Sequence, residues 1–200
     1  MPGIAMEQTP VRLTIKGAEW LEGVLRDGAF AVDATVGNGY DTLFLAHRVG
    51  PAGHVLGFDV QKGALTNATE MLRFAGLLDR VTLTLSSHAE MGRFLAPERR
   101  IAACTFSLGF LPRGDRRITT RPETTLVALD AAVTHLESHG RITILAYRKS
   151  LDGEEEYQAV KAALAEKDGV EVTEWMGSQP EADAPRLFLV AAATGPGTEN

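Results

Sequence analysis

The stretch Val32-Asp-Ala-Thr-Val-Gly-Asn-Gly-Tyr-Asp-Thr42 decides the fold, because it indicates a strand, a glycine turn and the start of a helix. Residues 30–34 form a mostly apolar run, and Gly37 and Gly39 interrupt it. Apolar residues then recur at helical spacing over 40–49. A turn of this kind brings the backbone close to a ligand and points free N–H groups at it.

The next predicted strand, His54–Asp59, ends in an acidic residue. A carboxylate at this place can accept hydrogen bonds from both hydroxyls of a ribose. The glycine turn and Asp59 together predict a site for a nucleotide-type cofactor. A phosphate-binding P-loop is excluded, because it needs a lysine and a serine or threonine after its last glycine, and no such pair follows Gly39.

The residues around the turn indicate which nucleotide the site favours. A dinucleotide-binding fold prefers Gly or Ala where Thr42 stands. Asp33 and Asp41 would repel a pyrophosphate, whereas they suit a ligand that carries an amino group and a sulfonium. The pattern Asp-x-x-x-Gly-x-Gly, with an acid at the end of the second strand, resembles the class I methyltransferases that use S-adenosyl-L-methionine. A NAD-binding domain and an ordinary tight turn in another α/β domain stay open as alternatives.

The composition is typical of a globular protein outside the membrane. The chain has 200 residues, 44% hydrophobic and 23% charged, which suits one domain over residues 1–200. No apolar run approaches the ~20 residues of a membrane span, and no secretory leader is recognisable. We therefore expect a cytoplasmic protein without membrane contact. The net charge of −6 argues against non-specific coating of nucleic acid, but not against a local basic patch.

Predicted helices and strands alternate along the chain until its last two strands. The segments 170–176 and 186–193 are strand-like, and the residues between them are too few for a crossover helix, so the two strands pair antiparallel or lie apart. A Rossmann-like, seven-stranded, mostly parallel sheet with an antiparallel C-terminal hairpin is the α/β arrangement of class I methyltransferases. The expected helices are 16–25, 40–49, 62–75, 88–94, 125–136 and 154–166, and the earlier strands are 30–34, 54–59, 81–85, 101–107 and 140–146.

The cofactor is expected beyond the carboxyl ends of the strands, where the strand order reverses. Asp33 and the glycine turn would face the methionine part, Asp59 the ribose, and Ser87 and His88 the adenine. Two alternatives stay open: Asp33 caps the following turn, or His88 only begins a helix. The predicted cofactor-binding residues are Asp33, Thr35, Gly37, Asn38, Gly39, Asp41, Thr42, Asp59, Val60, Gln61, Ser87 and His88.

The loop after the fourth predicted strand, residues 106–115, is rich in Gly and Pro, and in methyltransferases this loop presents the group to be methylated. VDATVGNGYDT, FDVQ, FSLGFLPRGD and TTRPETT occur in this order across residues 32–125. They resemble the motifs of a bacterial family first described as rRNA methylases and later understood as tRNA methyltransferases that complete the wobble-uridine modification. The residues predicted to shape the acceptor pocket are Ser107, Gly109, Phe110 and Pro112.

This resemblance implies methylation of the exocyclic amine of 5-aminomethyl-2-thiouridine at the tRNA wobble position. It also places a basic segment, residues 113–123, at the mouth of the pocket. Four arginines against two acids give that segment a local balance of +2. On charge alone a solvated loop is favoured, whereas the position beside the pocket favours contact with the phosphates of the tRNA anticodon arm. The predicted RNA-binding residues are Arg113, Arg116, Arg117 and Arg121.

The chain departs from the family pattern near the expected substrate. The family has a histidine where Tyr40 stands, an asparagine at Ser107 and a tyrosine at Phe110, and its histidine-containing segment reads Tyr147-Arg-Lys-Ser150 here. Methylation of rRNA or of a small molecule, and a non-catalytic nucleotide-binding module, therefore stay open. A homodimer that shares the anticodon arm is a hypothesis that no motif supports.

Two further patterns have structural interpretations. His135 and His139 are four residues apart, but no Cys or carboxylate at a suitable spacing accompanies them. We interpret them as residues at a helix end before a turn at Gly140, and we predict no metal site. Cys104 lies in an apolar run and is predicted to be a buried packing residue.

Overall fold

A seven-stranded sheet organises the chain in the computed structural model, which describes residues 9–112, 114–177 and 181–193. The strands are β1 (Phe30–Asp33), β2 (His54–Asp59), β3 (Val81–Leu85), β4 (Ile101–Leu108), β5 (Leu136–Ala146), β6 (Val170–Met176) and β7 (Arg186–Ala192). The helices are α1 (Thr9–Glu22), α2 (Tyr40–Arg48), α3 (Lys62–Phe74), α4 (Met91–Phe94), α5 (Pro122–Thr134) and α6 (Leu151–Ala165), with 3₁₀ turns at Leu78–Arg80 and His88–Glu90.

The strand order is β3-β2-β1-β4-β5-β7-β6. The pairs from β3 to β5 are parallel, whereas β7 is antiparallel to both β5 and β6. The predicted mostly parallel sheet with an antiparallel C-terminal hairpin is therefore confirmed. The order reverses between β1 and β4, so a crevice opens beside the carboxyl end of β1.

The central parallel strands β1, β2 and β4 are buried on both faces, which is why their sequences are nearly continuous apolar runs, whereas the edge strand β3 alternates and is partly exposed. Ala31 and Ala103 belong to a hydrophobic cluster with residues of α2 and α3. The alternating neighbours Val32 and Cys104 belong to a cluster with residues of α5 and α6 on the other face. Cys104 is fully buried, as predicted.

The predicted bounds of α1, α5, α6 and β5 were wrong, and α6 begins at Leu151 instead of residue 154. Helix α1 begins at Thr9 and ends at Glu22, and α5 begins at Pro122 instead of residue 125. Strand β5 begins at Leu136, so His139 lies on a strand and Gly140 is not in a turn. A Cβ atom on Gly140 would lie 2.8 Å from the carbonyl oxygen of Ile101, so close approach of the strands explains the glycine.

Candidate functional site

A cleft of about 840 Å³ opens beyond the carboxyl ends of the parallel strands. Each of the segments that follow β1, β2, β3, β4 and β5 contributes to its lining. This is the edge where the sequence predicts the cofactor and the acceptor loop. The predicted residues on the cleft wall are Thr35, Gly37, Asn38, Asp41, Asp59, Val60, Gln61, Ser87, His88, Ser107, Gly109, Phe110, Pro112 and Arg121.

The glycine turn after β1 has a backbone that other residues rarely adopt. Gly37 has φ of 51° and Gly39 has φ of 83°, both in the left-handed region. A Cβ atom on Gly39 would also lie 2.9 Å from the Cβ of Ala68 on α3. Gly39 is buried and does not line the cleft, so it shapes the turn and lets α2 and α3 approach.

Asp33 lies beneath this turn and is fully buried. Its Oδ1 accepts a hydrogen bond from the backbone N–H of Thr35 (3.1 Å), and its Oδ2 accepts one from the Thr42 hydroxyl (2.5 Å). Neither Asp33 nor Thr42 lines the cleft. The prediction that Asp33 faces the methionine part is therefore corrected: the carboxyl group holds the turn, as in the capping alternative. Burial, reinforced by the charge of Asp41, raises the pKa of Asp33 to about 7.

Asp59 does reach the cleft from the end of β2. Its Oδ2 accepts a hydrogen bond from the N–H of Gly37 and its Oδ1 from the N–H of Gln61, each at 2.8 Å. A carboxylate offers about four lone-pair positions, so both oxygens can accept a further hydrogen bond. The two backbone N–H groups orient the carboxylate of Asp59. Its remaining lone pairs can accept hydrogen bonds from a pair of vicinal hydroxyls.

His88 borders the cleft after β3, although its ring is buried. Its Nδ1 donates to the carbonyl oxygen of Ala34 (3.2 Å), and burial lowers its pKa. The preceding residue, Ser87, accepts a hydrogen bond from the N–H of Ala89 (3.2 Å) and so caps the 3₁₀ turn. These two hydrogen bonds fix the positions of Ser87 and His88 on this side of the cleft.

Asp41 and Ser107 join the glycine turn to the end of β4. The Ser107 hydroxyl donates to Oδ2 of Asp41 (3.1 Å), and the Ser107 N–H donates to the Thr35 hydroxyl (2.7 Å). Burial raises the pKa of Asp41, against the effect of the Ser107 hydrogen bond. Burial also raises the pKa of Tyr147, and the charge of Asp41 adds to that shift. Asp41, a predicted cofactor residue, is thus in direct contact with Ser107, a predicted acceptor residue.

The acceptor loop, defined here as residues 109–120, is closed at its base. The N–H of Gly109 donates to the Thr120 hydroxyl (2.8 Å), and the N–H of Thr120 donates to the Gly109 carbonyl (3.1 Å). Phe110 and Thr119 form an isolated antiparallel bridge. Phe110 and Pro112 are exposed on the cleft wall, so the loop presents apolar surface to a ligand.

The four predicted RNA-binding arginines differ in their surroundings. Arg116 lies over the ring of Phe110 at 5.4 Å, and Arg117 is paired with Asp115 at 2.7 Å. Neither lines the cleft, whereas Arg121, at the N-terminus of α5, does. Arg113 lies outside the described residues.

Sequence reasoning missed several residues of the cleft. Tyr147 and Lys149 line it directly after β5; they lie in the segment that departs from the family pattern near the expected substrate, but neither was named as a site residue. The rule that ligands bind beyond strand ends could have identified them. Thr120 and Thr124 line it from the TTRPETT motif, of which only Arg121 had been assigned to the site.

In residues 9–112, 114–177 and 181–193, no group of three or more His, Cys, Asp or Glu side chains is placed to hold a metal ion. Within the same ranges, no helix combines the length and the hydrophobicity needed to cross a bilayer.

The known proteins that this chain resembles in sequence and in structure carry methylase or methyltransferase names. The family model described as "Putative rRNA methylase" matches residues 55–191. The chloroplastic tRNA (mnm(5)s(2)U34)-methyltransferase of Arabidopsis thaliana is 34% identical over 163 residues, or 78% of this chain. The chain spans only 58% of the length of that relative.

Two solved structures extend the similarity over nearly the whole chain. A "putative rRNA-methylase" from Clostridium thermocellum is 36% identical with a TM-score of 0.86, covering 90% of this chain and 97% of that one. A "putative methyltransferase" from Streptococcus mutans, solved in complex with SAH, is 31% identical with a TM-score of 0.81. That alignment covers 94% of this chain and 100% of the other.

Proposed function

Because the chain belongs to the rRNA methylase family and so to the S-adenosylmethionine-dependent methyltransferases, we propose that it methylates 5-aminomethyl-2-thiouridine at the wobble position of a tRNA. The acceptor is the exocyclic amine, and the product is the 5-methylaminomethyl nucleoside. Family membership decides against the NAD-binding alternative. The tRNA substrate is supported by the name of the Arabidopsis relative and by the basic residues Arg121 and Lys149 on the cleft.

One observation carries the proposal: the cofactor side and the acceptor side face the same cleft. Asp59 and the glycine turn line one part of it, and Ser107, Gly109 and Phe110 line another. The Asp41–Ser107 hydrogen bond connects the two sides. A cofactor bound along the turn would therefore direct its reactive group toward the acceptor loop.

The residues present fit S-adenosylmethionine. The cofactor carries a sulfonium and an amino group, and the carboxylates of Asp41 and Asp59 line the cleft. Asp59 retains lone pairs for the ribose hydroxyls, and Gly37 leaves the turn without a side chain that would fill the space. Bound there, the cofactor supplies an electrophilic methyl group.

The chain's own residues have to position the amine rather than activate it strongly. A neutral primary amine is already nucleophilic, so it needs alignment with the methyl carbon at about 3–3.5 Å. The Asp41 carboxylate can accept a hydrogen bond from the amine, and Ser107 orients that carboxylate. The wobble base is unpaired, so it can enter the cleft at a small unstacking cost. Arg121 and Lys149 are placed to contact the adjacent phosphates.

The test is methylation of total tRNA from cells that lack this gene, with labelled S-adenosylmethionine and nucleoside mass spectrometry. We expect a new 5-methylaminomethyl-2-thiouridine signal that the Asp59→Asn variant does not produce. In a parallel reaction with rRNA from the same cells, label in rRNA but not in tRNA would support the rRNA alternative instead. Cofactor binding without transfer to any RNA would contradict the proposal and favour a small-molecule substrate or a non-catalytic module.

A further inference from the structure

A buried carboxyl group lies behind the wall of the cleft. Glu156, on the second turn of α6, is 2% exposed and does not line the cleft. Within the described ranges, no lysine, arginine or histidine forms an ion pair with it. A buried acid without a cation is costly, so its hydrogen-bond partners are informative.

The two oxygens of Glu156 contact two different walls of the cleft. Oε2 accepts a hydrogen bond from the Thr120 hydroxyl (2.5 Å), which itself accepts the N–H of Gly109 in the acceptor loop (2.8 Å). Oε1 lies 2.7 Å from the Thr125 hydroxyl, which lies 3.5 Å from Nε2 of His88. One side chain thus connects the acceptor loop with the wall predicted to border the adenine.

The hydrogens along this chain can be assigned from its donors and acceptors. The Ala34 carbonyl can only accept, so Nδ1 of His88 carries a hydrogen. The Thr125 hydroxyl has one hydrogen, which it donates to Oε1 of Glu156, so its 3.5 Å contact with Nε2 of His88 is a weak one. Burial raises the pKa of Glu156 and lowers that of His88, so burial disfavours the charged form of each. The carboxylate of Glu123 also raises the pKa of Glu156.

We propose that Glu156 is a positioning residue for methyl transfer, which acts through Thr120 and Thr125 to hold the acceptor loop and the His88 wall in one arrangement. The inference deepens the proposed function, because the identities of the two walls rest on it. Glu156 touches neither ligand. Its effect is to keep the acceptor base and the cofactor aligned, and misplacement by about 1 Å can cost about 10²-fold in rate.

Substitutions at Glu156 separate positioning from mere folding. In Glu156→Gln, the amide oxygen can accept from Thr120, and the amide N–H can donate to the Thr125 hydroxyl, so both contacts are kept although the second one reverses its direction. We expect its kcat/KM on tRNA to stay within about threefold of the wild type, since the network is preserved. Glu156→Met has similar volume but no hydrogen bonds, and we expect a loss of about 10²-fold. Glu155→Gln and Glu155→Met, at the exposed neighbouring position, are the matched controls.

The contact of Glu156 with Thr120 and its contact with Thr125 have separate expected effects. Thr120→Val should raise KM for tRNA and leave the Kd for S-adenosylhomocysteine unchanged, whereas Thr125→Val should weaken that Kd. A folding defect would instead lower both affinities in parallel with Tm. Two results would overturn the proposal: equal losses in Glu156→Gln and Glu156→Met, or a folded Glu156→Met variant with wild-type kinetics and affinity.

A readout without RNA keeps this test independent of the proposed substrate. Amide hydrogen exchange of the segment that contains Gly109 should accelerate in Glu156→Met and Thr120→Val, but not in Glu156→Gln or Thr125→Val. If tRNA is not methylated but this pattern appears, the substrate assignment fails and the positioning role stands. Unchanged exchange in all four variants would contradict the positioning role, whatever the substrate is.

Discussion

At the scale of single residues, Asp33 and Asp59 show what sequence pattern can and cannot predict. Both end neighbouring parallel strands, and both were assigned to the cofactor. Asp33 is fully buried and holds the turn, whereas Asp59 lines the cleft. Pattern identifies an acid at a strand end, but the direction of its side chain depends on partners such as Thr42, which become neighbours only in the folded chain.

Gly39→Ala should damage the cofactor site as well as stability. The left-handed backbone costs a non-glycine residue about 1–2 kcal/mol, and the added Cβ would press on Ala68 at 2.9 Å. Gly76→Ala is the matched control, because Gly76 has φ of 69° and no atom within 4 Å of its added Cβ. We expect both variants to lower Tm in thermal unfolding, but only Gly39→Ala to weaken S-adenosylhomocysteine binding by calorimetry. Equal effects on binding would contradict this account of the turn.

The ionisation of Asp33 should make the ligand-free protein less stable as pH rises. Its pKa is about 7 in the fold against an ordinary value of 3.8. A raised carboxyl pKa contributes stability below the unfolded value, and this contribution is lost as pH rises through about 7. Asp33→Asn cannot ionise, so its free energy of unfolding relative to the wild type should increase between pH 4 and pH 8. Urea unfolding of both proteins at several pH values measures this difference in the free energy of unfolding. A difference that does not change with pH would contradict the raised pKa of Asp33.

At the scale of helices and strands, the missed starts of α1, α5 and β5 have two causes, a proline in the first helical turn and a glycine within a strand. Pro10 lies in the first turn of α1 and Pro122 begins α5, where proline is favoured because its missing N–H has no helical partner. The sequence prediction began each helix at the later apolar periodicity. Strand β5 was shortened because Gly140 was interpreted as a turn, whereas the glycine accommodates the close approach of Ile101. By contrast, β2, β3 and β6 have the predicted bounds, because apolar or alternating runs define them.

The acceptor side of the cleft should bind RNA through a few separate cations. Arg121→Glu and Lys149→Glu should each weaken binding of an anticodon stem-loop by about tenfold at ~0.1 M salt and reduce the slope of log K against log salt by about one. Arg73→Glu makes the same charge change at the exposed far end of α3 and should leave the affinity nearly unchanged. Fluorescence anisotropy at several salt concentrations measures both quantities. Equal effects of all three substitutions would indicate a general charge effect instead of contacts at the cleft.

At the scale of the whole molecule, the mostly parallel sheet and its antiparallel C-terminal hairpin were predictable, because the short spacing excludes a crossover helix before the last strand and the resemblance to class I methyltransferases implies the hairpin. The oligomeric state, the cellular location and the single-domain assignment stay predictions, and the Arabidopsis relative is a chloroplastic protein. The Glu156 network was not predictable, since its members come from the acceptor loop, α5, α6 and the 3₁₀ turn after β3. Their contacts exist only once the layers have packed.

Cofactor binding should stabilise the whole protein against heat. A ligand that binds only the native state at 100 times its Kd adds about 2.7 kcal/mol, which corresponds to a rise in Tm of about 5–10 °C for a protein of this size. We expect this rise with S-adenosylhomocysteine, no rise with NAD, and little rise in the Asp59→Asn variant. Differential scanning fluorimetry with and without each ligand measures these changes in Tm. A larger rise with NAD would contradict the cofactor assignment.

The insertion of β7 between β5 and β6 has a consequence for synthesis of the protein in the cell. β7 is the last strand along the chain, yet it occupies an interior position, and most of its side chains are buried. β6 therefore has no partner in the sheet until residues 186–192 have left the ribosome. Until then, β5 has an open apolar edge that is available to chaperones and to neighbouring nascent chains. Completion of the sheet therefore waits until residues 186–192 have been translated, and a ribosome that stalls shortly before Arg186 would leave an aggregation-prone intermediate.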